Sequence, residues 1–191
     1  MDETYDEEKI SSKRKRRMQL RLNGGLQQYK NSIKNILTTT RFNNVTWAEN
    51  ESYRKRYPEL GCIYATPVRN SEQIADDAII IVLEMNNDKN QIIGIGMIRN
   101  HVYIKKYRVY SNENYNRYAY LGKHRIDRAE MTEKEEEIMK VFDILCFTGP
   151  RHMKRLPGMR QFPIDMLYKC SKILDLNQFV VQMFKTRLDI K

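Results

Sequence analysis

Cysteine and long apolar runs are scarce in this 191-residue sequence. Its three cysteines, Cys62, Cys146 and Cys170, lie far apart and form no pairing pattern. A disulfide framework needs an even number at closer spacing, so we expect free thiols in a reducing intracellular compartment, namely the cytoplasm, the nucleus or a virion. No apolar run follows the charged N-terminus, which predicts no secretory signal. No segment approaches 18 apolar residues, so we expect no membrane partner.

Motifs for metal, cofactor and catalytic chemistry are also missing. The three histidines share no ligand spacing with the cysteines and HExxH is absent, so we predict no metal site. Gly94-Ile95-Gly96 lacks the third glycine of a dinucleotide loop and falls inside a predicted strand, so we predict no cofactor. Glycines in a strand more often mark a bend or the close approach of another backbone. No residue set marks a catalytic centre, and a binding protein is favoured over an enzyme.

Positive charge is in excess: 34 lysines and arginines against 24 acids give a net charge of +10. The acidic residues 2–8 are followed by seven basic side chains in residues 9–21. A basic balance favours polyanionic partners, because phosphate neutralisation releases counterions. The run at 13–17 is a candidate localisation signal or phosphate-binding arm, although the solvated start of a helix explains it equally well.

Helices are predicted toward both ends of the chain. We expect a disordered acidic tail at 1–12 and basic, amphipathic helices over 13–59. Two helices are specified within that region, at about 26–38 and 46–56, and Thr46 with Glu49 has the form of a capping box. Trp47, near the start of the second, is predicted to anchor the core.

Further helices are predicted beyond residue 130. Thr132-Glu133-Lys134-Glu135 is a second capping box, and it opens a predicted helix at about 133–146. Two amphipathic segments, 164–174 and 177–188, predict C-terminal helices that pack on the core over 164–191.

The region 60–163 is predicted to be a β-rich core with the 133–146 helix inserted. It contains a predicted hairpin, in which strands at 78–83 and 91–99 flank a polar turn at 86–90. Shorter strands are predicted at 62–65, 101–110 and 117–121. The predicted fold class is α+β, with a small, mostly antiparallel barrel or bent sheet flanked by N- and C-terminal helices.

The strongest functional signal is a segment rich in tyrosine and basic residues. Six of the twelve tyrosines fall within 103–120, namely Tyr103, Tyr107, Tyr110, Tyr115, Tyr118 and Tyr120. Basic residues are interleaved with them, and a second basic cluster follows on a predicted loop at 151–155. Aromatic faces beside positive charge can stack bases and neutralise phosphates. Ordinary strand packing would explain about half of the tyrosines.

This segment predicts a nucleic-acid-binding site. In the hypothesis, Tyr115, Tyr118 and Tyr120 stack bases and Asn116 reads a base edge. The phosphate-binding and neighbouring polar residues are Arg117, Lys123, Arg125, Arg151, His152, Lys154 and Arg155. RNA or another single-stranded nucleic acid is favoured over a duplex, because no recognition-helix motif is evident.

The segment Ile92-Ile93-Gly94-Ile95-Gly96-Met97-Ile98, which follows a hydrophobic strand and a polar turn, resembles strands of PUA-like small β-barrels. That superfamily includes EVE and YTH domains, so the resemblance, which covers about 60–126, implies binding of RNA or modified bases. Trp47 would be the cage aromatic of such a pocket. Separately, residues 84–87, Asn90, 114–118 and 149–155 resemble a protein group of nucleocytoplasmic large DNA viruses, which implies no activity.

Two alternatives to non-catalytic nucleic-acid binding remain open. The first is a structural or scaffold protein, such as a virion component, whose basic surface meets acidic protein partners. The second is a metal-dependent nuclease, for which Asp76, Asp77, Glu84 and Asp88 are the densest acids of the β-rich region. No lysine follows Glu84 where such a site would need one.

Overall fold

The structure, a computed structural model, describes residues 23–189. The predicted acidic tail at 1–12 and the basic run at 13–17 lie outside these residues. The described elements in chain order are α1 (residues 23–32), β1 (Ile36–Phe42), α2 (Asn44–Arg56), β2 (Cys62–Thr66), β3 (Ile79–Asn86), β4 (Gln91–Arg99), β5 (Tyr103–Ile104), β6 (Tyr118–Gly122), β7 (His124–Asp127), α3 (Glu133–Phe147), β8 (Arg160–Gln161), α4 (Ile164–Cys170) and α5 (Leu176–Arg187).

The described residues divide into two compact units, of which the smaller contains residues 23–34 and 163–175. Within it, the Tyr29 hydroxyl donates to Asp175 Oδ1 at 3.1 Å, and the rings of Tyr29 and Tyr168 lie 5.7 Å apart. Burial and the Asp175 carboxylate raise the pKa of Tyr29 above its usual range. Gly25 lies directly against the Tyr168 hydroxyl, so a side chain at this position would require Tyr168 to move.

The larger unit contains residues 35–162 and 176–189, and it holds two sheets. The five-stranded sheet has the order β7-β4-β3-β1-β8, in which β1 and β3 are parallel and the other neighbours are antiparallel. The three-stranded sheet has the order β2-β6-β5 and is antiparallel. Together with the helices, these sheets make the fold α+β, as the sequence predicts.

Strand β1 is the largest departure from the sequence prediction, which extended a helix to about residue 38. Helix α1 ends at 32, and Ile36–Phe42 forms a strand between β3 and β8. Its three consecutive threonines, 38–40, are buried, and Thr38 Oγ1 donates to the Ile81 carbonyl at 3.2 Å. A β-branched run covered on both faces is stable as a strand even where its apolar spacing resembles a helix.

The locally specified elements agree with the sequence. Strands β3 and β4 form the predicted hairpin, and α3 begins at the predicted capping box, with Thr132 Oγ1 accepting from Glu135 N at 3.3 Å. Helix α2 begins two residues earlier than predicted. Its capping box joins Asn43 and Thr46, while Glu49 instead accepts a hydrogen bond from Ser111 N at 2.9 Å.

The two sheets do not close into a barrel, so of the two predicted forms, a barrel or a bent sheet, only the bent sheet is compatible with the structure. Only Tyr103–Ile104 of the predicted strand at 101–110 is a strand, so the three-stranded sheet ends early. The chain passes from the three-stranded sheet to the five-stranded one at Gly122 and Lys123, between β6 and β7. Gly122 lies against the Met97 carbonyl, and an added Cβ would overlap that oxygen. A tight bend, rather than barrel closure, therefore brings the sheets together.

The core of the larger unit lies between these sheets and their flanking helices. Its largest fully buried side chains include Tyr64, Tyr120, Phe142, Ile80 and Ile95. None of the helices within residues 23–189 is long and apolar enough to cross a membrane.

Candidate functional site

Two of the predicted binding residues lie inside the fold. Tyr120 is 1% exposed, and its hydroxyl accepts a hydrogen bond from Asn70 N at 2.9 Å. Asn116 is also buried: its Oδ1 accepts from Val109 N and Tyr110 N, and its Nδ2 donates to the Tyr110 carbonyl. Both side chains have their polar atoms engaged within the protein. This corrects the predicted roles, because Tyr120 has no free face for a base and Asn116 has no free edge.

Arg125 is a third correction, since it binds a carboxylate rather than an external phosphate. Its side chain is 8% exposed and it donates to Glu84 through Nε and Nη2, with distances of 2.8 to 3.1 Å. A third donor, Nη1, reaches Asp127 Oδ2 at 2.8 Å. The Tyr64 hydroxyl completes the cluster by donating to Glu84 Oε1 at 2.8 Å.

The electrostatics of this cluster keep Arg125 charged. Burial alone would lower the pKa of Arg125, but the Glu84 carboxylate and the hydrogen bonds to Glu84 and Asp127 outweigh it and raise that pKa above its usual range. Trp47 covers the guanidinium, with its ring centre 5.1 Å from Arg125 Cζ, and packs edge-on against Phe42 at 5.2 Å. Trp47 therefore has an anchoring position, as its place near a helix start predicts.

Because Glu84 is fully engaged, it is a poor metal ligand, which removes the central carboxylate of the nuclease hypothesis. Within residues 23–189, no group of three or more His, Cys, Asp or Glu side chains is arranged to hold a metal ion. The three cysteines are free thiols.

The remaining predicted residues are at least partly exposed, and those that line a depression do not all line the same one. Tyr115, Arg117, Lys123, Arg151 and Arg155 are exposed. Tyr118, His152 and Lys154 are partly buried. Lys123 lines one depression of the surface, whereas Tyr115 and Lys154 line another. Lys123 is thus separated from Tyr115 and Lys154, with which the sequence prediction grouped it.

The larger of the two depressions, which we call the junction groove, lies where the two sheets meet. It has a volume of about 700 Å³. Its lining residues are Glu59, Leu60, Asp77, Ile79, Met97, Ile98, Arg99, His101, Tyr103, Tyr107, Leu121, Gly122, Lys123 and His124. The bend at Gly122 forms part of the groove, so the feature that joins the sheets also creates this concave surface.

Three aromatic rings follow one another along the junction groove. The ring centres of His101 and Tyr103 are 4.8 Å apart, and those of Tyr103 and Tyr107 are 5.4 Å apart, both in edge-to-face geometry. Lys106 lies over the two tyrosines, with its Nζ 5.2 Å and 5.5 Å from their ring centres. Both tyrosine rings are partly exposed, so they combine an apolar surface with solvent access.

The charge around this groove is mixed, with an excess of cations beside the aromatic rings. Residues 103–123 carry five lysines and arginines and one glutamate. Two acids, Glu59 and Asp77, line the groove. Asp77 Oδ1 lies 3.8 Å from His101 Nδ1. Within residues 23–189, Lys106 and Lys123 form no ion pair with a carboxylate, so both remain available to an anionic ligand.

Lys123 is among the predicted site residues, whereas Tyr103 and Tyr107 are not. The signal that could have found them is the pattern Tyr103-Ile104-Lys105-Lys106-Tyr107, in which two lysines separate two tyrosines. Comparison of the chain with protein-family models, with curated proteins and with solved structures finds no match.

Proposed function

We propose that the protein binds nucleic acid without catalysis, with a preference for RNA or another single-stranded form, and that the junction groove is the contact surface. The observation that carries this proposal is the row His101, Tyr103 and Tyr107, which lies in a concave groove beside unpaired lysines. Partly exposed rings offer faces to unpaired bases, and the adjacent ammonium groups neutralise phosphates.

Strand pairing extends the positive surface beyond the groove. Lys105 N donates to the Arg117 carbonyl at 3.0 Å, and Ile104 pairs with Tyr118 across β5 and β6. The backbones of Lys105 and Arg117 are therefore neighbours, and both side chains are exposed. A strand of nucleic acid that leaves the groove along this edge would contact Lys105 and Arg117. The proposed interface therefore still includes Arg117 and its neighbour Tyr118.

A single strand is preferred over a duplex for a geometric reason. Tyr103 and Tyr107 lie in edge-to-face contact within a groove, and a base can pack on them only when its own face is free. Paired bases inside a helix have no free face. The resemblance to PUA-like domains points to the same class of ligand and remains a prediction.

The proposal is tested by fluorescence anisotropy with labelled single-stranded RNA, single-stranded DNA and duplex of equal length. We expect single strands to bind more tightly than the duplex, and log affinity to fall with log salt by roughly 0.7 per phosphate contacted. No binding to any nucleic acid at about 0.1 M salt, where the Debye length is about 10 Å, would contradict the proposal. Binding to acidic proteins together with that result would favour the scaffold alternative.

A further inference from the structure

The second depression, which we call the loop cavity, lies between β1, the start of α2 and the loop at 153–158. It has a volume of about 300 Å³, at the lower end of the range for small-molecule sites. Arg41, Asn87, Tyr115 and Lys154 are among its lining residues. The cavity shares no lining residue with the junction groove.

Arg41 gives this cavity an uncompensated positive charge. Its Nη1 donates to the carbonyls of Met153 and Arg155 at 3.0 and 3.2 Å, and its Nη2 donates to the Gly158 carbonyl. Within residues 23–189, no carboxylate pairs with Arg41. A guanidinium has five N–H donors, so the three carbonyl contacts leave two donors for another partner.

The surroundings of Arg41 favour the binding of an anion beside it. Burial, with a smaller contribution from nearby Arg160, lowers the pKa of Arg41 to about 10. A partly buried cation that is bonded only to neutral carbonyls is stabilised by an anion. Lys154 adds a second positive charge: its Nζ donates to Asn90 Oδ1 at 2.8 Å, and no carboxylate in the described part of the chain pairs with it.

Asn87 connects the turn after β3 to the loop that carries Lys154. Its Nδ2 donates to the Lys154 carbonyl at 3.1 Å, which fixes the orientation of the amide, since the opposite orientation would place two oxygens together. Asn87 Oδ1 is buried, so a ligand in the cavity does not reach it. The role of Asn87 is therefore to hold Lys154 at the wall of the cavity.

An aromatic surface completes the cavity. Tyr115 is 40% exposed, and its ring lies edge-on to that of buried Tyr110 at 6.0 Å. The start of α2 also lines the cavity through Asn43 and Thr46, and its first turn contains no acidic residue. Asp88, which accepts from Asn44 N at 2.8 Å, is not among the lining residues.

We propose that the loop cavity binds a phosphorylated nucleoside, with the phosphate on Arg41 and Lys154 and the base against Tyr115. A free mononucleotide and the 5′-phosphorylated end of a strand offer the same chemistry. The inference does not rest on the junction groove, and either site can bind its ligand without the other.

Calorimetric titration with AMP, UMP, adenosine and inorganic phosphate tests the inference. We expect nucleoside monophosphates to bind, and adenosine, which lacks the phosphate, to bind at least about tenfold more weakly, a difference of about 1.4 kcal/mol. A hexanucleotide with and without a 5′-phosphate distinguishes the sources. Tighter binding of the phosphorylated than of the unphosphorylated hexanucleotide identifies a strand end, and equal affinity of the two hexanucleotides, with AMP still bound, identifies a free nucleotide.

Variants then locate the binding. Lys154→Met should weaken AMP binding about tenfold by removing a cation from the cavity, and Tyr115→Leu should do the same by removing the ring against which the base packs. Lys185→Met makes the same lysine-to-methionine change on the exposed side of α5 and should leave affinity within about twofold. Arg41→Met also releases the 153–158 loop, so the first two variants, with thermal melting as a folding check, carry the test. No binding of AMP or phosphate at about 1 mM, or equal affinity in all variants, would overturn the inference.

Discussion

Arg125 donates hydrogen bonds to both carboxylate oxygens of Glu84 across the intervening strand β4. Glu84 pairs in register with Gly94, and Arg125 pairs with Gly96, so both side chains flank the glycines of β4. A Cβ on Gly94 would meet the Arg125 guanidinium and the Glu84 carboxylate. Because Gly94 and Gly96 of β4 have no side chains, Glu84 of β3 and Arg125 of β7 can form an ion pair across that strand.

Removal of one partner of this pair should strongly destabilise the protein. Arg125→Met leaves the buried Glu84 carboxylate without a counter-charge, and we expect the free energy of unfolding to fall by about 3–5 kcal/mol. The double variant Glu84→Gln/Arg125→Met removes both charges and should recover part of that loss. Urea denaturation measures both. Exposed Arg99→Met is the matched control and should change stability by less than about 0.5 kcal/mol. Equal stability of Arg125→Met and the control would refute a stabilising role for the pair.

Gly122 at the bend between the sheets should not tolerate a side chain. Gly122→Ala places a Cβ on the Met97 carbonyl, which belongs to the backbone and cannot rotate away. We expect a loss of at least about 1–3 kcal/mol, measured by thermal melting. Gly24, in helical residues, has open space around an added Cβ, and Gly24→Ala should be neutral or slightly stabilising. A Gly122→Ala variant as stable as the wild type would show that the sheets do not meet as closely as described.

The three thiols should differ in reactivity. Burial, assisted by the nearby Glu84 carboxylate, raises the pKa of Cys62 to about 12, and burial with Asp143 raises that of Cys146 to about 12. Cys170 is partly exposed. A thiol reagent at about pH 8, near the ordinary thiol pKa, should modify Cys170 first and the other two only on unfolding. Rapid modification of all three in folded protein would contradict this order.

Because the pKa values of Cys62 and Cys146 are raised, the stability of the protein should depend on pH. Their pKa values are higher in the folded than in the unfolded protein, so the folded state favours the neutral thiols. The stabilisation is complete below the ordinary thiol pKa of about 8.5 and is lost progressively as pH rises toward 12. Substitution of Cys62 and Cys146 by alanine should flatten this decline in melting temperature between about pH 9 and 11 relative to the wild type. An unchanged slope would indicate that other groups cause it.

Sequence reasoning succeeds where the determining contacts are local. The Thr132–Glu135 box defines the start of α3, and the polar turn at 87–90 joins two strands that are neighbours in sequence. It fails for β1, because Ile36 pairs with Ile80, more than 40 residues away. A run of threonines does not reveal that distant partner.

The candidate site shows the same division between local and tertiary information. Composition identifies residues 103–128 as aromatic and basic, but it does not separate buried Tyr120 from partly exposed Tyr103. Arg125 is chemically equivalent to Arg117 in the sequence. Its burial depends on a carboxylate that lies 41 residues earlier and on glycines in β4.

The central claim, binding of single strands in the junction groove, is tested most directly by conservative variants of the groove. Tyr103→Leu keeps an apolar side chain but removes the ring, and Lys123→Met keeps the aliphatic stem but removes the charge. Lys140→Met and Lys185→Met, on the exposed faces of α3 and α5, are matched controls for the loss of one charge. All four variants should be folded by circular dichroism before binding is compared.

The decisive measurement is the affinity of these variants for single-stranded RNA over a range of salt concentrations. We expect Tyr103→Leu to weaken binding about tenfold without changing the salt slope, because stacking is worth about 1–3 kcal/mol per base. Lys123→Met should reduce the slope by about 0.7, the value for one phosphate contact, while the two control variants retain affinity within about twofold. Wild-type affinity and slope in both groove variants, or an equal loss in the controls, would contradict the claim.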